Sequence, residues 1–139
     1  KLMSFNRDES FTCIDIAAID LNTLVAGFIK IGSPASIIIK KEGIKVMESN
    51  SLPLGILESI RPTVCEERLE DGDIVVFMSD GISSSFPSAT DLYAFLEKLK
   101  PLNPQNLADE ILAGAKKAAR GKAVDDMTVL AVRIFSHAN

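Results

Sequence analysis

Two aspartates stand beside apolar, strand-like segments of the sequence. Asp80 follows the run Ile74–Met78 after a single serine, within DIVVFMSDGI, and Asp125 shortly precedes the apolar residues 127–135. If these segments are antiparallel neighbours in one sheet, both carboxylates reach the same rim of that sheet. An unpaired carboxylate at the end of a buried strand is costly, and the nearby sequence offers Asp80 no Arg, Lys or His. A hard divalent ion such as Mg²⁺ or Mn²⁺ prefers oxygen ligands and is an economical partner for the pair.

Turn formation is the alternative interpretation of the same residues. Asp-Gly is a common turn dipeptide, as Asp71-Gly72 illustrates in this chain, and Asp125-Asp126 is equally suited to a cap or a turn. The spacing of these residues alone does not decide between a metal site and a turn.

Composition narrows the class of protein. The chain has 139 residues, of which 47% are hydrophobic, and this length suits a single domain, residues 1–139, with a substantial core. A net charge of −4 with scattered lysines argues against a nucleic-acid partner. The apolar runs are too short to span a bilayer, so we expect no membrane contact from this segment and a cytoplasmic location. The two cysteines suit reduced interior thiols. Because the chain does not begin with Met, we expect it to be part of a longer protein.

The first half of the chain has the alternation and turn spacing of β-hairpins. Residues 11–20 and 23–31 form one expected pair of strands, and residues 35–40 and 44–48 form a second, which together predict an antiparallel meander. Residues 62–69 alternate as well. The run that precedes Asp80 is apolar throughout, which predicts a strand buried on both faces at the centre of a sheet.

After Pro87 the apolar period changes from two residues to nearly four. Ser88 and Asp91 form a capping box before one short amphipathic helix, and Asn103-Pro104 begins a second helix that ends near Gly121. A final strand follows at residues 127–135. The pattern therefore predicts a domain that combines antiparallel strands with two amphipathic helices.

The motifs resemble those of a known enzyme family. FMSDGI followed by DDMTVLAVRI resembles the last two signature motifs of the phosphatase 2C-like (PPM) metal-dependent Ser/Thr protein phosphatases. The ordered series IGSPASIII, LPLGI, LEDGDIVVFMSDGI and DDMTVLAVRI is similar to the bacterial branch typified by stage II sporulation protein E. The match runs through nearly the whole chain in the right order.

The resemblance implies roles for a few residues. In that family the Asp of S-D-G and the first Asp of the last motif bind metal, which here are Asp80 and Asp125. Asp126 stands where relatives often carry Asn and is a supporting candidate. Gly81 would allow a tight turn beside the metal, and the loop that contains Gly32 and Ser33 would lie near the site.

The resemblance also implies a fold and a truncation. The expected fold is an α/β/β/α four-layer sandwich of two antiparallel sheets with flanking helices. The family's earlier D-G-x-G element, whose Asp bridges two metal ions, does not occur in this sequence. We therefore expect residues 1–139 to be the C-terminal two-thirds of such a domain, truncated on its N-terminal side, with weak or no metal binding and no catalysis on its own.

For the intact domain, the resemblance implies phosphoserine hydrolysis by water activated between two Mn²⁺ or Mg²⁺ ions, without a covalent intermediate. A mechanism without a side-chain nucleophile suits this sequence, which has one histidine, His137, and no evident Cys-His or Ser-His-Asp arrangement. The implied substrate and partner is a small phosphorylated anti-sigma-factor antagonist, in sporulation sigma-factor control. Membrane anchoring of the whole protein and its oligomeric state, a homodimer included, are left open.

Two other interpretations compete with the phosphatase. One is a catalytically inactive phosphatase-like module that binds a phosphoprotein or regulates a partner. The other is an unrelated α+β binding domain, which requires the ordered motif match to be accidental. The presence of a D-G-x-G element in the rest of the domain would distinguish the enzyme from the inactive module.

Overall fold

The computed structural model describes residues 11–56, 61–100, 103–122 and 125–136. These residues form seven strands and three helices in the order β1 (Ile14–Asp20), β2 (Val25–Ile31), β3 (Ser36–Lys40), β4 (Gly43–Met47), β5 (Thr63–Arg68), β6 (Ile74–Met78), α1 (Asp80–Ser83), α2 (Ala89–Leu96), α3 (Pro104–Ala119) and β7 (Val129–Arg133). Among the described residues, no helix combines the length and apolar character needed to cross a membrane.

The strands form two antiparallel sheets. One has the order β1-β2-β5 and the other has the order β4-β3-β6-β7. The predicted hairpins β1-β2 and β3-β4 are confirmed, but the predicted meander is wrong because β2 and β3 belong to different sheets. The turn between β1 and β2 is also longer than predicted and includes Leu24, a residue with a φ of 56°.

Strand β6 lies inside the larger sheet and is buried on both faces, as predicted. Ile74, Val76 and Met78 point to the helices, whereas Val75 packs with Phe28 of the other sheet. One core cluster therefore lies between the larger sheet and the helices, and a second lies between the two sheets. Burial of each such aliphatic side chain contributes about 1.5–3 kcal/mol to stability.

The two predicted helices are confirmed, and both pack against the larger sheet. Ser88 accepts a hydrogen bond from the Asp91 N–H at the start of α2, and Asn103 accepts one from the Asn106 N–H at the start of α3. Helix α3 ends at Arg120 in the left-handed conformation, one residue before the expected Gly121. Its buried face is Leu107, Ile111, Ala115 and Ala119.

The two cysteines are free, but the expectation that both are interior is wrong. Cys13 is exposed and Cys65 is half-buried on the inner face of the smaller sheet. Cys13 lies just before β1, which is an edge strand of that sheet.

An ion-pair cluster joins the two sheets at the end of the sandwich away from Asp80. Glu67 of β5 lies 2.5 Å from Lys45 Nζ and 3.3 Å from Lys40 Nζ. The hydrogen bond from Lys45, followed by that from Lys40, lowers the pKa of Glu67 against the opposing effect of partial burial. Because its folded-state pKa is lowered, this carboxylate stabilises the fold above its unfolded-state pKa, and the contribution is lost as the pH falls through the folded-state value.

We expect Glu67→Gln to lower the melting temperature at neutral pH, and the gap to wild type to close as the pH falls below the usual carboxyl range. Thermal melts followed by circular dichroism across that range would measure this. The control is Glu66→Gln, which alters an exposed carboxylate on the opposite face of the same strand. A gap for Glu67→Gln that does not change with pH would contradict the assignment.

Candidate metal centre

The two aspartates predicted to form a pair lie at the same end of the larger sheet. Strands β6 and β7 are antiparallel neighbours, with Met78 opposite Val129. Asp80 follows the last residue of β6 and Asp125 precedes the first residue of β7, so both belong to the segments that leave this rim. The two segments are therefore antiparallel neighbours in one sheet, which is the condition under which both aspartates reach the same rim.

Ser79 ties the two aspartate-bearing segments together. Its backbone N–H donates to the Thr128 carbonyl oxygen at 3.0 Å. Its hydroxyl accepts from the Thr128 N–H at 2.9 Å and donates to the Asp126 carbonyl oxygen at 2.9 Å. No role was predicted for Ser79, although its place directly before Asp80 in the S-D-G motif was an available signal.

Gly81 is required by a close approach between these segments. Gly81 is buried, and a Cβ atom added there would lie 2.7 Å from the Asp125 carbonyl oxygen and closer still to that of Asp126. Both obstacles are backbone atoms, so no side chain can rotate away to make room. The structure therefore requires glycine at this position for close packing of the two segments, and its expected role in a tight turn beside a metal stays a prediction.

The carboxylates themselves are exposed, which corrects part of the sequence argument. Asp80, Asp125 and Asp126 are all solvent-accessible, so the cost of burial does not by itself require a bound cation at Asp80. The chain leaves the sheet in helix α1 directly after β6, which turns Asp80 outward. Asp125 Oδ1 accepts a hydrogen bond from the Asp126 N–H at 2.8 Å, which restrains its orientation.

Two grooves meet at Asp80. The larger, which we call the inter-sheet groove, has a volume of about 1010 Å³ and is lined by Asp80, Thr128, Gly32 and Ser33 among others. The smaller, the helix-side groove, has a volume of about 400 Å³ and shares Asp80 and Ser33 with it. The loop expected near the site therefore does lie beside Asp80.

Gly32 fixes the shape of that loop. Its φ of +58° is left-handed, and an added Cβ would collide with the backbone of Pro53. The Gly32 N–H donates to the carbonyl oxygen of Ser51 at 3.1 Å and lies 3.3 Å from its hydroxyl. These contacts tie the loop to Ser51 and Pro53, neither of which lines the two grooves.

Tyr93 supplies a hydroxyl to the wall of the helix-side groove. Burial, the negative charge of Glu48 and a 3.4 Å hydrogen bond to Glu48 Oε1 raise the pKa of Tyr93. The phenol therefore remains protonated at neutral pH and keeps its hydrogen for donation.

The donor set suits a hard divalent cation in its chemistry, since carboxylate oxygens are the ligands that Mg²⁺ and Mn²⁺ prefer. Asp80 and Asp125 would hold such an ion. Within residues 11–56, 61–100, 103–122 and 125–136, however, no group of three or more His, Cys, Asp or Glu side chains is placed to bind a metal. Asp80 and Asp125 would therefore supply only part of a coordination shell. His137 lies outside the described residues.

We expect the 139-residue chain alone to bind manganese only weakly. Two carboxylates leave most of the coordination positions of the ion to water, and the D-G-x-G aspartate that the resemblance implies as a further ligand does not occur in this sequence. Isothermal titration with manganese chloride would measure this, and dissociation in the micromolar range would show that these residues form a complete site.

A family model matches this chain over residues 1–135, and its description is stage II sporulation protein E (SpoIIE). The chain belongs to the stage II sporulation protein E family. Among curated relatives, the family member of Bacillus subtilis (strain 168) is 31% identical over 131 residues, covering 91% of this chain and 16% of its own length. That of Priestia megaterium is 32% identical over 133 residues, covering 92% of this chain and 23% of its own length. The chain thus spans less than a quarter of either relative.

Solved structures of this family share the fold. The phosphatase domain of SpoIIE from Bacillus subtilis, presoaked with manganese, has a TM-score of 0.76 at 31% identity, covering 92% of this chain and 58% of that one. A structure of the PP2C phosphatase domain of SpoIIE from Bacillus subtilis with a fragment of its regulatory domain has a TM-score of 0.78 at 31% identity. The match covers 88% of this chain and 37% of that one. The resemblance read from the motifs is confirmed, and so is the α+β fold with two antiparallel sheets.

Proposed function

We propose that this chain is part of a metal-dependent protein serine/threonine phosphatase. The observation that carries the proposal is the joining of the two motifs, with Ser79 hydrogen-bonded to Asp126 and Thr128 so that Asp80 and Asp125 leave the same rim. Family membership and solved relatives that are phosphatase domains support it. The chain would supply the C-terminal part of the domain.

The proposal assigns separate roles to the two aspartates and to the residues that hold their segments together. Asp80 and Asp125 hold Mn²⁺ or Mg²⁺, Gly81 lets their backbone segments approach, and Ser79 keeps the segments in register. A divalent ion bound there would lower the pKa of water and offset charge on the phosphoryl group. The intact domain would hold two ions, and the further acidic ligand would come from the remainder of the domain.

The proposed substrate is phosphoserine on a small regulatory protein, an anti-sigma-factor antagonist, within sporulation sigma-factor control. The relatives are named for sporulation, and one solved phosphatase domain is described as that of a cell fate determinant. The inter-sheet groove is open and large enough, at about 1010 Å³, for a segment of a protein substrate. For such a substrate, the proposed location of the domain is the cytoplasm.

A second candidate function is a phosphatase-like module that binds a phosphoprotein without hydrolysing it. The observation in its favour is the lack of a three-ligand metal group among the residues that the structure describes. It differs from the enzyme in one measurable respect, since it would bind but never turn over its phosphoprotein.

The test is phosphate release from a phosphoserine protein by the domain that carries this chain, with and without manganese. The proposal expects release that begins with added manganese and stops with a chelator. Binding of the phosphoprotein without release at any manganese concentration would favour the second candidate.

A further inference from the structure

A buried lysine joins the two sheets close to residues that line the inter-sheet groove. Lys30 of β2 is 0% exposed, and its Nζ lies 2.5 Å from Asp15 Oδ2 and 2.7 Å from Ser36 Oγ. The Ser36 hydroxyl donates to the same Asp15 oxygen at 2.5 Å. We call Asp15, Lys30 and Ser36 the clasp. It links β1 and β2 of the smaller sheet to β3 of the larger one.

Stability alone does not account for the clasp. A buried ion pair is often no more stabilising than well-packed apolar residues of similar size, because both charges lose their hydration. Asp15 Oδ1 is buried without a hydrogen-bond partner among the described residues, which adds a further cost. Because the clasp adds little or nothing to stability, we explain its charged residues by the part of the chain that they hold in place.

That geometry is the loop of residues 32–35, which has Lys30 just before it and Ser36 directly after it. Both ends of the loop are therefore bound to one carboxylate oxygen, that of Asp15. The loop carries Ser33 into both grooves beside Asp80, and Asp15 itself lines the inter-sheet groove. The clasp thus ties both ends of the loop that carries Ser33 to a residue that lines the inter-sheet groove.

We propose that the clasp is a positioning element for the site, holding residues 32–35 as the wall against which a phosphorylated substrate is placed beside Asp80. The inference rests on the proposed function. Asp15, Lys30 and Ser36 act through the loop and do not themselves touch the reacting atoms.

The test replaces the whole clasp by apolar residues, with Asp15→Leu, Lys30→Met and Ser36→Ala combined. In the domain that carries this chain, we expect the melting temperature to equal or exceed that of wild type while KM for p-nitrophenyl phosphate rises about tenfold or more, because small misplacements of substrate are costly to catalysis. In the same domain, we expect the amides of Gly32, Ser33 and Ala35 to exchange hydrogen faster and those of β6 to be unchanged.

A matched control removes another ion pair that joins the sheets. Lys40→Met with Glu67→Leu breaks the 3.3 Å pair at the far end of β3, and we expect it to leave KM and loop exchange unchanged. Ser36→Ala alone removes one arm of the clasp with little change in volume, and we expect an intermediate rise in KM.

The outcomes separate the inference from the proposed function. Unchanged KM and loop exchange in the folded triple variant would overturn the inference, and so would global unfolding of the triple variant, which would make the clasp structural. If the wild-type domain shows no manganese-dependent turnover, the proposed function fails, while loop exchange still decides whether the clasp holds the loop.

Discussion

Asp80→Asn and Asp125→Asn are each expected to lower kcat of the domain that carries this chain by more than about 100-fold. Changes to residues that merely orient metal ligands already cost about 10–100-fold, and these substitutions remove a charge that we propose binds the ion directly. Both side chains are exposed, so the folded structure should persist and the melting temperature without metal should change little. Steady-state phosphate release from a phosphoserine protein at saturating manganese is the measurement.

The matched control for this pair is Asp109→Asn. Asp109 is an exposed carboxylate on α3 that accepts a hydrogen bond from Gln105 and does not line the grooves at Asp80. We expect it to retain wild-type kcat. Full activity in either Asp80→Asn or Asp125→Asn would show that the carboxylate serves the turn and not the metal.

Gly81→Ala is expected to destabilise the domain by about 1–3 kcal/mol, as overpacking does, and to abolish most of its activation by manganese. The added methyl group would meet the carbonyl oxygens of Asp125 and Asp126, and relief requires movement of the segment that carries Asp125. Denaturant unfolding and a manganese activation curve would measure the two effects.

Gly27→Ala is the control for Gly81→Ala. Gly27 lies in β2, and a Cβ atom added there meets nothing within 4 Å. We expect stability and manganese activation close to wild type. Equal behaviour of Gly81→Ala and Gly27→Ala would contradict the close packing described at Gly81.

Local patterns predicted the elements of this fold well, because capping residues and apolar periodicity act over a few residues. Ser88 and Asn103 mark the starts of α2 and α3, and the continuous apolar run at Ile74–Met78 marks a strand inside a sheet. The division of the hairpins between two sheets was not predictable in this way. It depends on β2 pairing with β5 and β3 pairing with β6, contacts between residues far apart in sequence.

The candidate site was predictable in part. The S-D-G and D-D motifs located Asp80 and Asp125, and the antiparallel pairing of β6 with β7 brings their segments together as expected. The exposure of Asp80 was not foreseen, because the apolar run before it suggested burial that the turn into α1 prevents. The clasp was also missed, because its three residues belong to three different strands that come together only in the folded chain.

The central claim is that Asp80 and Asp125 bind the same metal centre. A crystal of the domain that carries this chain, grown with manganese, would test it through the anomalous signal of the ion. We predict an anomalous peak within bonding distance of a carboxylate oxygen of both residues. A peak that contacts neither residue, or no peak at saturating manganese in a well-ordered site, would contradict the account.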